Sequence, residues 1–140
     1  MKFHASVVED IILNCRNFGG HPSERKLRDV LGGKRYSVYV GDRQDLVLVD
    51  AEKHLQEAVQ RRLPTNWIVP MPLHPRAFEK IMHLFDLFSG YDTEQKLRSS
   101  IRGLDFTPYE RKLAGGGETI LVLTEDYTKA LQGGPGLQQR

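Results

Sequence analysis

Residues 67–90, WIVPMPLHPRAFEKIMHLFDLFSG, constrain this chain more than any other stretch. They carry its single Trp, three of its six Phe and two of its three Met. Trp67, Ile68 and Val69 form a short apolar run that ends at Pro70, the pattern of a buried strand end. Pro70, Pro72 and Pro75 impose an extended turn, and Pro75 suits the first position of a helix. Phe78, Ile81, Met82, Phe85 and Phe88 then recur every three or four residues, one face of a helix. Leu84 and Leu87 widen that face. A helix apolar over so much of its girth is expected to be a core pillar or an interface. Ser89-Gly90 is the expected stop.

The rest of the chain is read around that helix. Residues 5–17 predict a helix with Val7, Val8, Ile11, Ile12 and Cys15 inward, and with Ser6 and Glu9 spaced as a capping box. After Gly19-Gly20, residues 23–31 predict a second helix with Leu27, Val30 and Leu31 inward. Residues 35–40 alternate like a strand, and 46–50 read as its hairpin partner across a polar turn. Residues 51–62 predict a helix with Leu55, Ala58, Val59 and Leu63 inward. Beyond Gly90, helices are expected from Asp92 or Thr93 to Arg102, from Thr107 to Leu113, and from Asp126 to Gln132. Residues 118–124 read as a strand. No internal repeat is found. The outcome is an α+β domain: an N-terminal helical pair with a β-hairpin, then mixed helices and short strands around the central apolar helix. Residues 1–132 are expected to form one globular domain and 133–140 a flexible tail.

Composition excludes several classes. The lone Cys15 allows no internal disulfide and reads as a buried structural thiol. No apolar run reaches the roughly 18 residues of a membrane span, and no secretion signal is visible, so the expected location is cytoplasmic, with no membrane partner. The formal charge of +2 names no partner by itself. Its distribution is uneven: residues 1–35 and 61–112 have basic excess, and 36–60 have acidic excess. Asp50 with His54, and Glu79 with His83, are each four apart and share a helix face. A metal needs three or four convergent ligands, so no metal and no cofactor is expected.

Three functional readings follow. The helix, Gly-Gly break, basic helix and hairpin of the first third have the outline of a winged-helix DNA binder. GGHPSERKLRDVLGG is similar to the N-terminal domain of plasmid KfrA-type DNA-binding proteins. That resemblance implies a nucleic-acid partner, contacted through Arg25, Lys26, Arg28, Lys34 and Arg35. A helix-turn-helix further requires residues 35–40 to be a recognition helix rather than a strand. The alternative is a protein–protein adaptor, inhibitor or immunity-type protein, or a homo-oligomer, with Trp67, Phe78, Phe85 and Phe88 as interface anchors. A third reading starts from IVPMPLHPR, which resembles a segment of phosphoribosyltransferases of the competence-protein type. There residues 120–128 would supply the strand, two acids and a threonine. Lys129, Ala130 and Leu131 stand where a phosphate loop needs glycine and threonine. With no complete catalytic constellation, the reading is a small non-enzymatic binding or regulatory protein.

Overall fold

The computed structural model of the protein describes residues 1–18, 24–41, 43–88, 94–113 and 115–131. Its elements run β1 (Lys2–Phe3), α1 (Ala5–Phe18), α2 (Glu24–Gly32), β2 (Tyr36–Val40), β3 (Leu46–Asp50) and α3 (Ala51–Gln60). Then come α4 (Pro75–Phe88), α5 (Glu94–Arg102), β4 (Phe106–Leu113), β5 (Gly116–Leu123) and α6 (Thr124–Leu131). This is a mixed α+β domain.

The order βααββα is followed by ααββα, and the second series is the first one again. Met71, His74, Glu79, Ile81, Leu97, Arg98, Gly103 and Tyr109 stand 70 positions after Met1, His4, Glu9, Ile11, Leu27, Arg28, Gly33 and Tyr39. The helix pair keeps its spacing: Ala5–Phe18 and Glu24–Gly32 recur as Pro75–Phe88 and Glu94–Arg102. Backbone bonds repeat as well. The His4 N–H donates to the Leu48 carbonyl at 2.9 Å, and the His74 N–H to the Leu121 carbonyl at 2.8 Å. The chain therefore is an internal duplication, contrary to the expectation of no repeat. We call residues 1–60 the first unit and 71–131 the second.

Each unit completes the other. Tyr36 exchanges backbone bonds with Met71, at 2.9 and 2.8 Å. Its counterpart Phe106 does the same with Met1: the amide donates to the Met1 carbonyl at 2.7 Å, and the Met1 ammonium donates to the Phe106 carbonyl at 2.6 Å. The first sheet has the order β1-β3-β2, with β1 parallel and β2 antiparallel to β3. Met71 bridges onto β2, and Leu73 bridges in parallel onto β5, which pairs with β4. Since β4 returns to Met1, the strands close into a ring. The ring encloses Phe3, Tyr36 and Phe106, whose rings lie 5.2 and 4.7 Å apart. One core spans both units, from Val8, Ile11, Leu27 and Leu48 to Ile81, Met82, Ile101 and Leu121. Each fully buried large apolar side chain there contributes roughly 1.5–3 kcal/mol before entropy is counted.

Several expectations change. No strand forms at the expected residues 67–69; single bridges form instead at Met71 and Leu73, where the Tyr36 and Leu121 backbones are the available partners. Residues 107–113 form strand β4, not a helix. Phe106 turns both backbone groups toward Met1, so the missing N–H of Pro108 points the same outer way and costs no bond to β5. Helix α6 begins at Thr124, and Asp126 is buried within its first turn rather than capping it. Helix α3 buries Ala51 and Ala58, whereas Leu55, Val59 and Leu63 are exposed, because α3 packs with one face on β2 and β3. The central helix α4 does bury Ile81, Met82, Leu84 and Phe85, while Leu87 is exposed. Ser89-Gly90, Asp92, Thr93 and residues 132–140 lie outside the described residues.

Candidate ligand cleft

Helices α1 and α4 begin with the same device. A histidine stands at the N-cap, and its ring accepts a backbone N–H two residues on. The Ser6 N–H donates to His4 Nδ1 at 3.0 Å, and the Arg76 N–H to His74 Nδ1 at 3.1 Å. An accepting Nδ1 carries no proton, so the neutral ring keeps its hydrogen on Nε2. Ser6 was expected to cap α1; instead its hydroxyl lies 2.8 Å from the ring of His4, which does the capping.

The two units differ in what surrounds that ring. In the second, Arg76 stands where the first has Ser6. Its guanidinium reaches Asp126 through two bonds, Nε to Oδ2 at 3.2 Å and the terminal nitrogen to Oδ1 at 3.3 Å. His74 is 5% exposed. Burial holds its pKa below the ordinary histidine value, aided by the positive charges of Arg111 and Arg76 and opposed by Asp126. In the first unit, Ser6 is too short to bridge anything, and Lys53 stands in the register position of Asp126, three residues after the β3 end as Asp126 is after the β5 end. His4 is only half-buried.

The result is a cleft of about 270 Å³ on the outer face of the first unit. His4 and Ser6 line it from the start of α1, Tyr39, Val49 and Asp50 from the sheet, and Lys53, His54 and Glu57 from α3. Local sequence fixes these positions. Alternation along β2 turns Tyr36 to the core and Ser37 and Tyr39 to α3. Asp50 caps α3, accepting the Lys53 N–H at 3.1 Å, and so sets the helix rotation that aims His54 at the sheet. The buried Ser37 hydroxyl lies 2.7 Å from His54 Nδ1. Rings follow one another edge to face: His4 to Tyr39 at 6.5 Å, Tyr39 to His54 at 5.5 Å, His54 to Trp67 at 5.0 Å. Among the described residues the second unit keeps the Tyr109–Tyr127 contact of this series, at 6.4 Å.

The sequence-predicted residues fall elsewhere. Residues 36–40 are strand β2, so no recognition helix follows α2. Arg25 and Lys26 are exposed on α2. Arg28 binds Glu79 at 2.7 and 3.1 Å and lies over the Phe78 ring at 5.9 Å. Its counterpart Arg98 binds Glu9 in the same way. Lys34 is partly buried between Asp10, at 3.1 Å, and Asp50, at 3.5 Å. Arg35 donates to the Gly32 and Lys34 carbonyls and lines a wider groove of about 770 Å³ beside Pro70, Pro72 and the outer β4–β5 hairpin. Glu118 in that groove is held by Arg111, opposite it in the ladder. Of the apolar anchors, Phe85 belongs to the core, Phe78 is half-buried under Arg28, and Trp67 is exposed. The Phe88 side chain is outside the described residues. His83 is exposed, and among the described residues no group of three His, Cys, Asp or Glu is placed to hold a metal. Residues 124–131 are helical, so no phosphate loop follows β5. No described helix is long and apolar enough to cross a membrane.

Sequence reasoning missed the cleft. Its signal was the repetition of MKFH as MPLH, with Ser6 against Arg76 two positions later. No protein-family model, curated protein or solved structure matches the chain.

Proposed function

We propose that this protein acts by binding, and that its ligand enters the cleft of the first unit. One observation carries the reading. The duplication places the same capping histidine in both units, yet an internal ion pair occupies the surroundings of His74, while those of His4 are left as a lined cavity. At about 270 Å³ the cavity lies just below the range of roughly 300–1,000 Å³ typical of small-molecule sites, and it mixes aromatic walls with a few polar groups. The test transplants the second unit's pair into the first, as Ser6→Arg with Lys53→Asp. Ligand-observed NMR with a library of small fragments should give binders for the wild-type protein that the double variant loses. Equal binding to both proteins would overturn the reading.

Nucleic-acid contact is a second reading, favoured by Arg25 and Lys26, which are exposed on one helix and form no ion pair among the described residues. Its footprint is narrower than the five predicted cations suggest, because Arg28 and Lys34 neutralise carboxylates within the fold. Fluorescence anisotropy of a labelled random duplex should then show binding at about 50 mM salt that collapses at about 200 mM, and Arg25→Glu with Lys26→Glu should abolish it. Absence of binding at the lower salt would sink this reading.

A further inference from the structure

The cleft's charges say what kind of molecule would fill it. Its two acids are already served. Asp50 accepts the Lys53 backbone N–H and lies 3.5 Å from the Lys34 ammonium, and Glu57 lies 3.4 Å from Arg61. Its donors are not. Among the described residues the Lys53 ammonium has no ion-pair partner, and the His4 ring, with Nδ1 accepting the cap's N–H, has Nε2 as its donor. The second unit shows what satisfies such a place. There the carboxylate of Asp126, 5% exposed, sits within electrostatic reach of His74 and is gripped by Arg76. The first unit has exchanged that acid for a lysine and that arginine for a serine. Its cation comes from the opposite wall, and among the described residues no internal anion pairs with it. The Tyr39 and His54 rings add flat walls, with Val49 also lining the cavity.

Resting on the cleft as the ligand site, we infer that it takes a small aromatic carboxylate, whose acid end meets Lys53 and the His4 ring while its flat body lies against Tyr39 and His54. The external carboxylate would do in the first unit what Asp126 does in the second.

Three probes of one shape and different charge test this: benzoate, benzyl alcohol and benzylamine. Each is titrated to about 10 mM into the ¹⁵N-labelled full chain, with backbone shifts followed at residues 4–6, 39, 49 and 53–57. Emission of the single Trp67, which touches His54, gives a second readout. The expected result is saturable shifts from benzoate at those residues, with benzyl alcohol and benzylamine weaker by about tenfold or more, the ratio that one charge-assisted hydrogen bond supports. Lys53→Met, which keeps the stem and removes the charge, should weaken benzoate by a similar factor and leave benzyl alcohol unchanged. Binding of benzylamine or benzyl alcohol in the cleft as tightly as benzoate would overturn the ligand class and leave the site standing. No perturbation of the cleft by any of the three would overturn both. A Lys53→Met protein with wild-type benzoate affinity would overturn the assigned role of Lys53 even if the benzoate shifts map to the cleft. Lys53 is exposed on α3, so its variant is expected to fold, and the spread of the remaining amide signals checks that directly.

Discussion

At the scale of single residues, the two capping histidines are the most informative positions in the chain. His74 must stay neutral to accept the Arg76 N–H, and burial favours that state. The sign of its pH effect follows. The unfolded chain takes up a proton near the ordinary histidine value of about 6.5, and the folded protein does so only at lower pH. Its contribution is therefore fully present above about pH 6.5 and is lost as pH falls through the folded value. Urea midpoints measured at pH 7.5, 6.5 and 5.5 should fall in that order. His74→Asn, which can cap without titrating, should flatten the decline. Cys15 gives a second prediction. Burial pushes its thiol up to about 11, so at pH 8 a thiol reagent should label the native protein far more slowly than the urea-unfolded chain. Fast native labelling would show that α1 opens locally. The burial of Cys15 was legible from its apolar helical neighbours. The role of His4 was not, because an imidazole at a cap mimics what Ser6 was expected to do, and only geometry tells them apart.

At the scale of elements, what could be read depended on whether local pattern and tertiary partner agreed. Helices α1 and α4 and the β2–β3 hairpin follow their periodicity to within a residue or two, because each buries the face that its sequence paints apolar. Helix α3 does not. Leu55 and Val59 share a helix face, yet only Ala51 and Ala58 are buried, since a sheet approached this closely by Ser37 and His54 has room for alanine. Val59→Lys should thus change stability by no more than about 0.5 kcal/mol, whereas Leu48→Ala, from a fully buried site, should cost about 2–5 kcal/mol in chemical denaturation. The end of α3 offers a gain. The Leu63 N–H closes back on the Ala58 carbonyl at 2.8 Å, which puts Arg62 in the left-handed region at φ 57°. Arg62→Gly should raise stability by about 1 kcal/mol, and a loss instead would mean that the Arg62 side chain makes a contact worth more than the strain.

At the scale of the molecule, duplication governs both the core and the candidate site, and it was hidden for a physical reason. The identities that survive are scattered, such as Lys26-Leu27-Arg28 against Lys96-Leu97-Arg98, and the second hairpin is longer. The shift of 70 positions that relates Tyr36 to Phe106 becomes 73 for Leu48 and Leu121, so no single period spans a whole unit. What selection of partners retained was reciprocity: Arg28 with Glu79, and Arg98 with Glu9. If the halves complete each other in this way, a chain cut between Thr65 and Val69 should reassemble from its two fragments. Neither fragment alone should give a dispersed amide spectrum, and the equimolar mixture should. The ring of strands has one more consequence, for crowded solutions. Nothing in the bonds from Tyr36 to Met71, or from Phe106 to Met1, requires both partners to come from the same molecule. Two molecules that open along residues 61–70 can trade second halves and close again with every contact restored, leaving an intertwined pair that separates only as fast as its core unfolds.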